Sequence, residues 1–509
     1  MSPRNWLRAA YAALFALAAF GSLANLDGRK LWGDEAETAL LAISITHHGV
    51  PRVLDGHHRI ANLPNGRDAN ADGLWTWSPW LDEYVTAGSF ALLGPSTTAA
   101  RLPFALLALG SMALLTRITW RAYRKHSVPL VLLSLLATSV PLLLHARQAR
   151  YYALSLFAVC WLFHGIARAC EAPGVRAAVH TALPLAILFY SNYLLAVAPA
   201  AAVAVFGLWR ARGRAGSLGW LGLSAAGAFA LALPWLIYAN PAAQGTLIGS
   251  EGALERALYY LRQTQLHVIP AVVLALPLLL RPVHALRGQA TPHAPTESAR
   301  ALEFFAWSLL LLGLVVYAAS PFRFFRYLIP IIPAILLLAA AYLGRFLPSK
   351  GLRAVVVLAL ILANGWTLEH ASLRVVGVPY LDFLQSIPHD YRTRLDAVSE
   401  YLAGEVTPGD RLWVPDPEFP LAFYSDVEVV DARLHKGVPV PPPEWILEAS
   451  ASSISPRLRL AIPPKVALLY DAIYLDTPRA RHGGSRPDPN FYEAFEARRI
   501  EPFVLHRLR

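Results

Sequence analysis

Residues 6–37 read WLRAAYAALFALAAFGSLANLDGRKLWGDEAE, an apolar run followed directly by a segment rich in acidic residues. A run of about 20 apolar residues is long enough to cross the hydrocarbon core of a bilayer as a helix. The basic residues Arg4 and Arg8 and the many apolar runs that follow favour an uncleaved first span over a signal peptide. This stretch therefore predicts a membrane helix that delivers an acidic loop to the membrane surface.

Apolar runs of similar length recur through most of the rest of the chain. Of its 509 residues 55% are apolar and only 16% are charged, whereas soluble domains carry about 25% charged residues. This composition excludes a soluble enzyme and a disordered chain, and it predicts a mainly α, polytopic membrane helix bundle of about 11 transmembrane helices. The predicted spans are residues 6–26, 101–119, 128–145, 150–168, 177–190, 193–209, 218–238, 267–281, 301–319, 324–345 and 352–369, with a turn at Tyr190-Ser191-Asn192-Tyr193 separating two of them.

The net charge of +11 is unevenly distributed. Residues 1–380 hold 30 basic and 15 acidic side chains, and residues 381–509 hold 15 and 19. The basic excess therefore lies in the apolar region, where it marks topology and argues against nucleic-acid binding. Basic residues recur at alternate span ends, which predicts that those ends are cytoplasmic and that the first loop, residues 27–100, faces outward.

The chain divides in sequence into a transmembrane domain, residues 1–375, and a soluble α/β domain, residues 376–509. In the second part the pattern predicts a helix over Arg394–Leu402 and a final edge strand over Phe503–Leu508. Further predicted strands are Arg411–Val414, Val427–Val430, Val466–Tyr470 and Ile473–Leu475.

Acidic residues are concentrated in the first outward loop. Nine of the 15 acids in the first 380 residues lie between Asp27 and Glu83. Asp34 and Glu35 follow the first span within Leu31-Trp32-Gly33-Asp34-Glu35-Ala36-Glu37. Either they are solvated charges that favour the start of an interfacial helix, or one is a general base at the membrane surface. Their position and the scarcity of acids elsewhere favour the base.

Two outward loops combine arginine with aromatic residues. The first runs from His145 to Tyr152 and the second from Ser320 to Tyr327. Outward arginines run against the usual charge bias, and they bind either lipid headgroups in general or one phosphate held at the bilayer edge. Because two separate loops carry the pattern, we favour the phosphate. The candidate substrate-binding residues are Arg147, Arg150, Tyr151, Tyr152, Arg323, Arg326 and Tyr327.

A partial calcium-loop pattern covers Asp68, Asn70 and Asp72. Pro79 stands where a bidentate glutamate would close such a loop. An Asp/Asn/Gly-rich turn is therefore favoured over a metal site. No cofactor is required by the sequence, and a divalent metal is left open.

Together these features resemble the GT-C type of membrane-embedded glycosyltransferase, in the branch that contains protein O-mannosyltransferases and the lipid A aminoarabinose transferase. The motifs that carry the resemblance are Trp32-Gly33-Asp34-Glu35, Gly94-Pro95-Ser96 with Ala100-Arg101-Leu102-Pro103, Ala149-Arg150-Tyr151-Tyr152-Ala153-Leu154, and Arg326-Tyr327-Leu328-Ile329-Pro330 with Pro333. They span nearly all of residues 1–370, and their order is more specific than any one of them.

The resemblance implies a polyprenyl-phosphate-linked sugar donor, an inverting reaction and a site on the periplasmic side of a bacterial inner membrane. Asp34 matches the catalytic acid of the first loop and would act as the base. Glu35 completes the catalytic motif and would position the acceptor or the loop. The arginines of the two clusters would offset charge on the departing lipid phosphate, and the tyrosines would bind phosphate or line the sugar site.

The sequence departs from the family at Gln148, where many relatives carry an acid. Either the Asp34 motif suffices, or Asp82 or Glu83 supplies a second carboxylate. The predicted partners are the lipid-linked donor, a lipid, glycan or protein acceptor, and membrane lipids, with no nucleic acid. The alternative function is a transporter or flippase of a polyprenyl-linked sugar intermediate.

Overall fold

The structure is a computed structural model of the full chain. It describes residues 3–509 except 55–59, 61–67, 124–125, 214–215, 241–251, 287–294, 322, 348, 363–378, 389–391, 417, 426, 435–438, 452–458 and 479–499. The predicted boundary at residue 375 and the last residues of the predicted span 352–369 lie outside this described part.

Helices dominate the described residues, and a small sheet lies near the C-terminus. The helices are α1 (Pro3–Leu23), α2 (Gly33–His48), α3 (Leu81–Leu93), α4 (Thr97–Ala122), α5 (Ser127–Ala137), α6 (Val140–Ala146), α7 (Tyr152–Glu171), α8 (Val175–Ser191), α9 (Tyr193–Ala211), α10 (Gly216–Ala239), α11 (Ala253–His267), α12 (Ala271–Leu286), α13 (Glu297–Ala319), α14 (Ile332–Phe346), α15 (Lys350–Leu362), α16 (Pro379–Ser386), α17 (Arg394–Glu405), α18 (Phe419–Tyr424) and α19 (Pro464–Ala467). The strands are β1 (Arg411–Val414), β2 (Glu428–Asp431), β3 (Trp445–Leu447), β4 (Tyr470–Pro478) and β5 (Ile500–Leu508).

Each predicted apolar run contains a helix, which confirms a mainly helical, multi-pass membrane protein. Among the described residues six helices are long and apolar enough to cross a membrane, or eight if each of two bent pairs forms one span. This is fewer than the predicted number, because α8, α14 and the described part of α15 are shorter than 18 residues. The count of 11 therefore stays a prediction.

Each of the two bent helix pairs has a short break between its helices. Helices α5 and α6 form an angle of 60°, with Pro141 in the first turn of α6, and α11 and α12 form one of 86°. The predicted turn between residues 190 and 193 is confirmed: α8 ends at Ser191, and the Asn192 side chain accepts a hydrogen bond of 3.0 Å from the Leu194 amide. Asparagine is among the residues preferred at such a helix start.

The described residues form two compact units. The helix unit comprises residues 3–24, 104–240 and 252–385, and the loop–sheet unit comprises residues 25–103 and 386–509. The first loop and the C-terminal region, which are far apart in the chain, therefore share one unit. Helix α4 continues through the boundary, with Thr97–Pro103 in the loop–sheet unit.

The helix unit packs through small residues and aromatic rings. Helix α14 is buried on nearly its whole surface, as expected for a helix that is apolar all round. Phe163 of α7 meets Phe305 of α13 edge to face, with ring centroids 5.0 Å apart. Gly165 of α7 is buried where α8 crosses most closely, so this position accommodates only a glycine.

The loop–sheet unit contains a five-stranded sheet in the order β2-β1-β3-β5-β4. Strands β2, β1 and β3 are parallel, and β5 pairs antiparallel with both β3 and β4. The predicted α/β architecture is confirmed, with α17 on the predicted residues. Buried side chains of α17, α18 and the central strands form its core, among them Val398, Leu421 and Trp445.

Two strand predictions are wrong in part. Residues 503–508 belong to β5, but β5 lies between two strands and not at an edge. The predicted strand at Val466–Tyr470 is helix α19 over Pro464–Ala467, and the strand begins only at Tyr470. Pro464 stands in the first turn of α19, where its fixed φ favours a helix start.

A buried ion pair joins the first loop to the start of α4. Arg101 Nε donates to Glu35 Oε1 at 2.8 Å and Arg101 Nη2 to Glu35 Oε2 at 2.6 Å, and both side chains are buried. The same guanidinium donates to the carbonyl oxygens of Leu26, Arg29 and Lys30 at 2.7, 2.8 and 3.3 Å. One side chain thus fixes the chain segment that enters α2.

We predict that Gly165→Ala destabilises the helix unit. An ideal Cβ at this position would lie 2.5 Å from the His180 carbonyl oxygen and 2.8 Å from Thr181 Oγ1, and overpacking of this kind costs about 1–3 kcal/mol. The matched control is Gly219→Ala, since that Cβ would meet nothing within 4 Å. Thermal unfolding in detergent should show a lower Tm for the first variant only. An equal Tm for both variants would contradict the close helix contact.

We also predict that Arg101→Ala lowers the free energy of unfolding by about 3–5 kcal/mol, because it leaves the Glu35 carboxylate buried without its counter-charge. Arg392→Ala is the control, because it removes an Arg–Glu pair whose side chains are 65% and 57% exposed. Exposed pairs contribute about 0–1 kcal/mol. A chemical denaturation midpoint that shifts equally in the two variants would refute the stabilising role of the buried pair.

Candidate active site

One group of candidate residues, which are acidic, lies at the start of α2 in the loop–sheet unit. Trp32 precedes the helix in an extended conformation, and Asp34 and Glu35 occupy its first turn. Carboxylates are favoured there by the helix dipole. The backbone amide of Trp32 donates to Glu35 Oε2 at 3.3 Å, so Glu35 also helps to define the helix start.

Asp34 and Glu35 are adjacent but differ in environment. Glu35 is fully buried and both of its oxygens accept from Arg101. Asp34 is half-buried, and its carbonyl oxygen accepts from Thr38 Oγ1 at 3.2 Å. These contacts favour a positioning role for Glu35, whereas Asp34 keeps part of its surface accessible to a substrate.

Asp82 and Glu83, the predicted alternatives for a second carboxylate, occupy the first turn of α3 and are both buried. Helix α3 packs against α2 in the same unit. A pair of tryptophans shapes the turn before it: Trp80 Nε1 donates to the Trp75 carbonyl oxygen at 2.6 Å, and Trp75 is fully buried. A catalytic role for either carboxylate stays a prediction.

The partial calcium motif forms a turn. Asn70 Oδ1 accepts from the backbone amides of Asp72 at 3.0 Å and Leu74 at 2.9 Å, and Gly73 has a φ of 72°. These contacts use the Asn70 oxygen that a cation would need, and Asp68 is buried. Within the described ranges no group of three or more His, Cys, Asp or Glu side chains is arranged to hold a metal ion.

A separate group of candidate residues, which are basic and aromatic, lies in the helix unit. Arg326 Nη1 lies 3.4 Å from the Tyr152 hydroxyl, which joins two loops that are 174 positions apart in the chain. The Arg326 guanidinium also lies over the Phe324 ring, 4.2 Å from its centroid. Tyr152 is fully buried, and its ring centroid lies 4.7 Å from that of Tyr151. The two segments predicted to bind phosphate therefore meet here.

Arg150 extends this cluster, and its guanidinium lies 5.5 Å from the centroid of the Tyr151 ring. Tyr327 is buried beside the Tyr317 and Phe324 rings, with centroids 6.0 and 5.7 Å away. An aromatic face beside a guanidinium fixes its position, and the planar guanidinium suits recognition of a phosphate.

The other two predicted arginines have different surroundings. Arg147 Nη1 donates to the Gly21 carbonyl oxygen at 3.0 Å and so ties the end of α6 to α1. Arg323 is exposed, lies 3.3 Å from Glu255 and has its guanidinium 5.4 Å from the Tyr259 ring centroid. Their contacts are less suited to a buried phosphate than those of Arg326.

His145 belongs to the cluster, although the sequence pattern gave it no role. Its Nδ1 lies 2.7 Å from the Pro141 carbonyl oxygen, and its ring meets the Tyr152 ring edge to face at 4.9 Å. A carbonyl oxygen only accepts hydrogen bonds, so Nδ1 carries a proton and Nε2 is the acceptor of the neutral ring. Its place at the head of the aromatic loop was the only available signal.

Tyr424, in the C-terminal region of the loop–sheet unit, was also missed. Its hydroxyl accepts from the Leu31 amide at 2.8 Å, three residues before Asp34. Burial raises the pKa of Tyr424, which outweighs the opposing effect of Arg101. Nothing in the sequence around residue 424 indicates a contact with residue 31.

The chain is similar in fold to solved structures of known proteins. No family model and no curated protein matches the sequence. Among solved structures, ArnT from Cupriavidus metallidurans in the apo state matches with a TM-score of 0.61 and 14% identity, over 99% of this chain and 98% of that chain. ArnT from the same organism bound to undecaprenyl phosphate matches with a TM-score of 0.54 and 16% identity, over 84% of this chain and 86% of that chain. The resemblance predicted from the motifs is thus confirmed at the level of the fold, and the chain shares the fold of ArnT.

Proposed function

We propose that this protein is a glycosyltransferase that moves a sugar from a polyprenyl-phosphate donor to a hydroxyl group of a lipid, glycan or protein. The observation that carries the proposal is the unequal environment of two neighbouring carboxylates. Glu35 is neutralised by Arg101 in a buried pair, whereas Asp34 remains partly accessible. A partly accessible carboxylate at the start of a helix suits a general base. The fold shared with a structure that holds undecaprenyl phosphate supports the class of donor.

In the proposed reaction Asp34 accepts the proton of the acceptor hydroxyl as its oxygen attacks the anomeric carbon. The bond from the acceptor oxygen to that carbon forms, and the bond from the carbon to the phosphate oxygen breaks. The electron pair of the broken bond leaves with the polyprenyl phosphate. One displacement of this kind inverts the configuration at the anomeric carbon.

The donor phosphate gains one negative charge as it leaves, because a phosphodiester becomes a phosphomonoester. Arg326 and Arg150, each held against an aromatic ring, are proposed to offset this charge. Fixed donors aimed at developing charge stabilise a transition state more than they stabilise the bound substrate. The Tyr152 hydroxyl accepts a hydrogen bond from Arg326 Nη1 and is proposed to orient the guanidinium.

The distribution of basic residues supports a periplasmic orientation of the first loop and the C-terminal region, in the inner membrane of a bacterium. A membrane location suits the proposed donor, whose polyprenyl tail must stay in lipid while its sugar phosphate reaches water.

We predict that Asp34→Asn nearly abolishes sugar transfer, because the amide cannot accept the hydroxyl proton, while loss of the carboxylate charge near the helix N-terminus lowers stability by only about 1 kcal/mol or less. Loss of a general base typically costs about 10²–10⁴-fold in rate. The measurement is transfer from a panel of labelled undecaprenyl-phosphate sugars to an envelope extract, in proteoliposomes. Asp471→Asn is the matched control, since Asp471 is 66% exposed and pairs with Arg509.

Full transfer by the Asp34 variant would exclude the base role. Movement of labelled donor across the vesicle membrane, with no acceptor consumed, would favour a transporter instead.

We predict that Arg326→Ala lowers kcat/KM for the donor about 10²–10³-fold, the usual effect of removing a transition-state charge donor. Arg323→Ala should have a much smaller effect, because Arg323 is exposed and bonded to Glu255. Steady-state kinetics with varied donor concentration measures both. A larger loss in the Arg323 variant than in the Arg326 variant would overturn the assignment of Arg326 to the phosphate.

A further inference from the structure

Tyr424 is a residue of the C-terminal region that contacts the segment before Asp34. Its hydroxyl accepts from the Leu31 amide at 2.8 Å and lies 2.6 Å from Thr97 Oγ1. The ammonium group of Lys30 lies 4.2 Å from the centroid of its ring. One side chain therefore binds the chain that enters α2 and also the first residue of α4.

The Leu31 amide precedes the first helical residue, Gly33, and it bonds to the Tyr424 hydroxyl instead of to the helix. Leu31 itself is fully buried. The direction in which the chain enters the first turn of α2 sets the direction of the Asp34 side chain. Arg101 fixes this segment from the α4 side, and Tyr424 fixes it from the C-terminal region.

Helix α18, which carries Tyr424, is itself firmly placed. The Phe423 ring stacks against Phe90 of α3, with centroids 6.3 Å apart and an angle of 28° between the planes. Leu421 is fully buried in the core of the sheet, together with Leu412 and Val414 of β1. A continuous set of packed residues thus links the sheet to the backbone before Asp34.

We propose that Tyr424 is a positioning residue for the Asp34 carboxylate, so that the C-terminal region takes part in catalysis by fixing the first loop. This inference rests on the proposed role of Asp34 as the base. The hydroxyl of Tyr424 touches no reacting atom, and it acts through the Leu31 amide and Thr97. A misplaced base slows the chemical step while the binding of donor, which uses other residues, is unchanged.

The test is Tyr424→Phe in the full-length protein, reconstituted in proteoliposomes. We expect kcat to fall about 10–100-fold, the effect of a small misplacement of a catalytic group, with KM for the undecaprenyl-phosphate sugar within about twofold of the original value. Hydrogen exchange at residues 30–36, followed by mass spectrometry, should become faster in the same variant because the Leu31 amide loses its acceptor.

The matched control is Tyr470→Phe. It also removes a buried hydroxyl from the loop–sheet unit, one that donates to the Pro443 carbonyl oxygen at 2.5 Å. We expect this variant to keep both kcat and the exchange rate at residues 30–36. An equal loss of kcat in the two variants, or an unchanged kcat in Tyr424→Phe, would overturn the inference.

The two proposals fail in different ways. If the unaltered protein transfers none of the tested sugars, the proposed function fails, and the exchange measurement still decides whether Tyr424 holds the loop. Unchanged exchange at residues 30–36 in Tyr424→Phe would overturn the inference even in an active enzyme.

Discussion

The buried pair of Glu35 and Arg101 is the interaction on which the acidic part of this protein depends. Two charges removed from water are costly unless their geometry is nearly ideal and the remaining hydrogen-bonding groups are satisfied. Here the guanidinium is bidentate to the carboxylate and its other donors reach carbonyl oxygens of the incoming chain. The first loop is therefore held by Arg101, which belongs to α4, a helix long and apolar enough to cross a membrane.

This arrangement also separates the roles of two neighbouring acids. Two adjacent carboxylates with the same surroundings would repel each other. Their environments would also give no reason for one rather than the other to act as the base. Because Arg101 compensates the charge of Glu35 in a buried pair, the two acids differ in exposure, and Asp34 is the one that is partly accessible. The basic cluster follows a comparable principle, since the aromatic faces of Phe324 and Tyr151 hold Arg326 and Arg150 in fixed places.

Much of the fold could be predicted from the sequence, because apolar runs of spanning length leave few alternatives to helices. The bends could not, since the run that contains Thr138 and Ser139 is as apolar as an unbroken span. Strand β3 has only three residues, too few to show an alternating pattern, and the central place of β5 depends on pairings with distant strands.

The candidate site was predictable to a similar extent. The candidate residues come from the motif around Asp34 and from the two arginine loops, and Arg101 lies within one of the motifs; their catalytic and binding roles stay predictions. What the motifs did not separate was Asp34 from Glu35, or Arg326 from Arg323, because those differences arise from partners elsewhere in the chain. Tyr424 depends entirely on tertiary structure, since it lies 393 positions from the amide that it binds.

The joining of residues 25–103 with residues 386–509 in one compact unit constrains the topology of the whole chain. Both segments must lie on the same side of the bilayer, so the chain between them crosses it an even number of times. Within the described part of that stretch, five long helices and two bent pairs qualify as spans. If each bent pair crosses once, seven crossings would leave the second segment on the wrong side. An odd number of further crossings is therefore required, from α8, α14, α15 or the residues outside the described part, although the described lengths of these helices alone would not have identified them.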